Sequence, residues 1–179
     1  MAVADWLADF KTTDSDLKIE SAVFLVRFVE RYGASVASFV EARCDEAREL
    51  VILDFRTGKP QRSACPLLTV ERIAVLFPSA DAMPFVFVLR DDFPDTLHQQ
   101  LVPECYPKAI CIDDRQRAEA RLSWTPAELI QRTLAWFGRA ARGELHDARQ
   151  PIDPIFMGSP LNFIIARSLL DGEASEDLV

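Results

Sequence analysis

Val70-Glu71-Arg72-Ile73-Ala74-Val75-Leu76-Phe77-Pro78-Ser79 and, a few residues on, Pro84-Phe85-Val86-Phe87-Val88-Leu89-Arg90 are two apolar runs with proline at their borders. Proline lacks the N–H that a β-ladder needs, so placing it between runs leaves each run free to pair. Upstream, Glu49 to Phe55 is rich in β-branched residues, and Val36, Ser38, Val40 and Ala42 alternate with Ala37, Phe39 and Glu41. Thr57-Gly58-Lys59-Pro60 is a turn, and Pro66 and Pro94 also fall outside the runs. Four consecutive strands so punctuated predict an antiparallel meander.

Periodicity of a different kind flanks the meander. Val23, Val26 and Val29 recur with Leu25 and Phe28 at three-and-four spacing, which predicts a helix over residues 16–32 closed by Gly33. Downstream, Asp91 to Ser123 keeps no period for long, and so long an irregular passage marks a functional or disordered segment. Order returns at Thr125, an expected N-cap, with Pro126 at the first helical position and Glu128 completing a capping box. Leu129, Ile130, Leu134, Phe137 and Ala141 mark the buried face of this helix, and Gly143 ends it. A proline-rich loop from Glu144 to Pro160 follows, then a final helix over Leu161 to Leu170. The expected class is α+β: an N-terminal helix, a four-stranded antiparallel meander, a long irregular segment and C-terminal helices.

The chain has 179 residues, 49% of them apolar, with 20 basic against 28 acidic side chains and a net charge of −8. That is enough chain for one folded domain with its own core. The acidic balance opposes nucleic-acid binding, because phosphate contact needs a basic face. Residues 171–179 carry four of the acids and no base and read as an acidic tail or linker beyond a domain spanning 1–170. The first ten residues are acidic where a secretory signal would be basic, and no run reaches the length of a membrane span, so a cytoplasmic location without membrane partners is expected.

Four cysteines, Cys44, Cys65, Cys105 and Cys111, give no reason for pairing in such a chain. Cys105 and Cys111 are not spaced as zinc ligands, and with His98 and His146 as the only imidazoles no metal site is expected. The six glycines form no phosphate-binding loop, so nucleotide-dependent activation is not expected of this chain.

Ile110-Cys111-Ile112-Asp113, followed by Trp124-Thr125-Pro126-Ala127-Glu128-Leu129-Ile130, resembles the catalytic segment of ubiquitin-conjugating enzymes. There a cysteine in an Ile-Cys-Leu-Asp setting precedes a Trp-Ser/Thr-Pro-Ala that opens a helix. The order of elements is similar over residues 16–170, as are the passage from Leu76-Phe77-Pro78 to Pro84 and the loop triplet Asp153-Pro154-Ile155. The family's His-Pro-Asn is missing: positions 101–103 read Leu-Val-Pro, and Tyr106-Pro107-Lys108 lies too near Cys111 and lacks the amide. In this the chain looks like divergent bacterial relatives found in ubiquitin-like conjugation and antiphage operons.

The resemblance implies that Cys111 accepts a ubiquitin-like modifier as a thioester from a separate activating enzyme and passes it to a lysine or other nucleophile of a protein substrate, without a cofactor. It also implies that Asp153, with Asp147 and His146 behind it, assists the incoming amine. The competing reading keeps the same fold with the cysteine idle, as a binding or assembly module; a third makes the chain an accessory domain of a longer polypeptide. At residue level, Cys111 is either an accessible acyl acceptor or a buried structural cysteine, a common fate of free thiols. Asp113 and Asp114 would raise its pKa by like-charge repulsion. Asp153 competes with a turn-forming role, Trp124, Trp136 and Phe137 with core roles, and His98 with a surface role. Lys108, Arg115, Arg117 and Arg121 form either a docking patch or a solvated loop.

Overall fold

A computed structural model describes residues 3–13, 17–113, 115, 119–120 and 124–145. Its elements are α1 (Val3–Ala8), β1 (Lys11–Thr13), α2 (Glu20–Tyr32), β2 (Ala37–Cys44), β3 (Glu49–Arg56), β4 (Val70–Phe77), β5 (Phe85–Val88), β6 (Gln99–Gln100), β7 (Lys108–Ile110) and α3 (Pro126–Arg142). The strands form one sheet of order β1-β2-β3-β4-β5-β7-β6, with every neighbouring pair antiparallel. The expected meander is therefore present as β2 to β5, inside a sheet of seven strands. The N-terminal helix begins at Glu20, inside the expected range. The final helix over residues 161–170 and the boundary of the acidic tail lie outside the described residues.

Both faces of the central strands are covered, which explains why β3 and β4 are nearly continuous in apolar residues. On one face Val51, Leu53, Phe55, Ile73, Val75 and Phe77 pack under α2 and α3 with Leu25, Trp136 and Phe137. On the other, Leu50, Ile52, Ala74, Leu76 and Phe87 meet Trp6 and Phe10 from the N-terminal segment. Trp6 is fully buried and stands against the rings of Phe10, Phe87 and Tyr106. The segment is tied down by Arg48, which lies 4.8 Å from the Phe10 ring centroid and donates to the Tyr106 hydroxyl at 2.9 Å.

Each long helix has a physical reason for its start. At α2 the Ile19 cap position offers no side-chain acceptor; the buried Glu49 carboxylate takes its place, accepting from Lys18 N–H at 2.5 Å and Ile19 N–H at 3.1 Å. A carboxylate there also meets the positive end of the helix dipole. At α3 the Thr125 hydroxyl accepts from Glu128 N–H at 3.1 Å. Gly143, at φ 73°, closes α3 in the left-handed conformation that glycine adopts without strain. Only half of the expected capping box forms, since the Glu128 carboxylate is engaged with Arg115 and Arg132.

Candidate active site

The passage expected to be structureless, residues 91–123, contains the two short strands that set the position of Cys111. In β7, Ile110 is opposite Val86 of β5 on one side and Gln99 of β6 on the other. Cys111 is the first residue beyond β7, and its backbone N–H donates to the His98 carbonyl at 2.8 Å, extending the β6 ladder by one bond. The same carbonyl accepts from the indole N–H of Trp136 in α3 at 3.2 Å. His98 has φ 56°, an uncommon conformation for a residue with a side chain. Its backbone thus joins the end of β7 to the buried face of α3. Spacing along the chain did not reveal this, because the join is made by a carbonyl, and the expectation of a plain surface histidine gives way to a half-buried residue at a junction.

Cys111 is 8% exposed, so of the two settings open to it, an accessible thiol or a buried one, it has the buried one. The physical reason is the course of the loop after it. Ile112 turns toward the main core, and the Cys111 Sγ–H donates to the Asp113 backbone carbonyl at 3.4 Å. Cys105 shows the reverse outcome, being exposed, while Cys65 is buried and Cys44 half-buried, and none of the four is in a disulfide.

Asp113 is held from two sides. Its carboxylate accepts from Arg115 Nε at 3.0 Å and Nη2 at 2.7 Å and from the Arg115 backbone N–H at 3.1 Å. Arg132 Nη1 of α3 stands 3.4 Å from the same carboxylate. Glu128, one turn before Arg132, meets the Nη2 of both arginines at 2.9 Å. Two acids and two arginines form a closed ring in which every acid touches both cations. Arg115 holds the Asp113 carboxyl below the usual carboxylate range, with burial working against it and Arg132 adding to it; Asp113 in turn raises the Arg115 guanidinium. Arg115 is thus a tether rather than a free docking charge. Glu128 and Arg132 were missed as site residues, although their i, i+4 spacing was a visible signal.

A crevice of about 10 Å³ lies beside the ring, lined by Met83, Pro84, Ile112, Trp124 and Leu129 among others. That is room for about one water, not for a small-molecule substrate. Trp124 is half-buried and meets Phe77 edge-on at 6.0 Å, in the expected core role. Among the described residues no group of three or more His, Cys, Asp or Glu is placed to hold a metal ion, and no helix is long and apolar enough to cross a membrane. Asp153, Asp147, His146, Arg117 and Arg121 lie outside the described residues.

The family model described as prokaryotic E2 family A matches residues 25–167. No curated protein and no solved structure matches the chain.

Proposed function

The chain belongs to prokaryotic E2 family A, and from that premise we propose that Cys111 is the acyl acceptor of a ubiquitin-like conjugation reaction. Family membership implies in general a ubiquitin-like modifier and an activating enzyme as partners. The observation that carries the finer reading is the placing of Cys111. It stands directly beyond a strand, its amide pinned by His98 and its thiol held by the loop that α3 anchors.

In loading, the Cys111 sulfur attacks the carbonyl carbon of a modifier thioester on the activating enzyme. A new S–C bond forms, the old one breaks, and the departing thiolate takes the proton. Because the acyl group arrives activated, no histidine base is needed to make Cys111 a strong nucleophile. In discharge, a substrate lysine attacks the Cys111 thioester, an amide C–N bond forms, the S–C bond breaks, and the amine proton must be carried away. Asp153 is the carboxylate assigned to orient that amine or take its proton. The Cys111 amide is committed to His98, so donors to the transient oxyanion must come from elsewhere, in a chain without the Asn of the family tripeptide.

The second reading, a binding module with an idle cysteine, draws on one observation: Cys111 is 8% exposed. Substitution of Cys111 by lysine in the native host separates the two, because a lysine there captures the modifier as a stable isopeptide. Mass spectrometry of Cys111→Lys is expected to find a modifier C-terminus joined to position 111, with none on Cys111→Ala. Absence of that linkage, and of a thiol-sensitive adduct on the wild type, in cells with an active conjugation system would overturn the carrier reading and favour the binding one.

A further inference from the structure

We propose that Arg115 and Arg132 are positioning residues for the Cys111 thiol, acting through Asp113. The inference deepens the carrier reading and takes its functional meaning from it, but its geometry stands independently. The thiol hydrogen is donated to the backbone carbonyl of Asp113 at 3.4 Å. That carbonyl is where it is because the side chain of the same residue is fastened, by Arg115 within the loop and by Arg132 from α3. Glu128 closes the ring by binding both arginines, and it sits in the first turn of a helix whose start is fixed by Thr125. The thiol is thereby referred to the core: sulfur to Asp113 carbonyl, Asp113 carboxylate to Arg132, Arg132 to a helix buried through Leu129, Thr133, Trp136 and Phe137.

The ring is balanced in charge, two against two. Its four side chains are partly exposed, between 9% and 31%. Partly exposed ion pairs add little to overall stability and weaken with salt. What the ring does supply is geometry, since a two-point guanidinium grip fixes both the distance and the plane of a carboxylate. A macromolecular thioester has to find the sulfur in one place, whereas a small alkylating reagent reacts faster with a sulfur that is free to swing out. Loosening the ring therefore raises reactivity toward small reagents at this cysteine alone.

The test is the rate of iodoacetamide modification of the folded protein, resolved by peptide mass spectrometry at Cys111 and, as an internal reference, at Cys65, buried in the main core. Arg115→Gln and Arg132→Gln are each expected to raise the Cys111 rate several-fold with Cys65 unchanged, and Arg132→Lys, which keeps the charge but not the fork, to fall between. Raising ionic strength should speed Cys111 in the wild type and much less in Arg132→Gln, a comparison whose first half needs no variant to fold. An unchanged Cys111 rate in both Gln variants, or Cys65 rising in step with Cys111, would overturn the proposal, as would a salt-independent wild type. The reagent needs no modifier, so these results judge the ring, while the lysine trap judges the carrier reading; either can fail alone.

Discussion

At Cys111 the sequence and the structure answer different questions. The residues around it give its chemical context; its placing follows from two neighbours whose carbonyls accept from its amide and its thiol. His98 is one of them, and its φ of 56° is a conformation that costs a residue with a Cβ about 1–2 kcal/mol. His98→Val, whose β-branched side chain fits that conformation worse, is therefore expected to lose roughly 1–2 kcal/mol in urea unfolding. Asp113 is the other. Its folded-state pKa is depressed, so its contribution to stability is fully present above the ordinary carboxylate value near 4 and is lost as pH falls through the lower folded value. The stability gap between wild type and Asp113→Asn should accordingly be constant from neutral pH down to about 5 and shrink below about 4. A gap that widens in acid would contradict the pairing of Asp113 with Arg115 and Arg132.

Elements differ in how plainly the chain announces them. β4 runs from Val70 to Phe77 as its apolar run and its closing proline predict, and α3 has its N-cap, first-position proline and terminal glycine where the sequence puts them. α1 is six residues long, less than two helical turns, so no period can establish it. β6 and β7 have two and three residues and exist through pairing with partners distant in sequence. The short elements still carry energy. Trp6 of α1 is 1% exposed, and Trp6→Ala should cost about 3–5 kcal/mol, the range for emptying a large aromatic from a core. Gly143 offers a sharper local test: at φ 73°, with an added Cβ placed 3.3 Å from Ala64 Cβ, Gly143→Ala is expected to destabilise by roughly 1–2 kcal/mol. Thermal melting of both variants measures these costs, and a Trp6→Ala protein as stable as wild type would show that α1 does not hold the second face.

For the whole molecule, the α+β class and the central meander were legible because strand runs and turn residues are local signals. The covered second face and the ring around Asp113 were not, because each is made by convergence: Trp6 with Phe87, Asp113 with Arg132. The candidate site was legible as a motif and illegible as a geometry. Glu128 illustrates the difference, since its place after Thr125 suggests a cap whereas its carboxylate serves the loop beside the thiol. The family match over residues 25–167 spans these scales, since that range includes Cys111, strands β2 to β7 and α3. The central claim is that this cysteine carries an acyl group, and intact-mass analysis tests it directly. Wild-type protein recovered from its native host without reductant should show a fraction heavier by one modifier, removed by dithiothreitol and absent from Cys111→Ala. Wild type free of any thiol-sensitive adduct while conjugates accumulate in the same cells, or an adduct that persists on Cys111→Ala, would contradict the account.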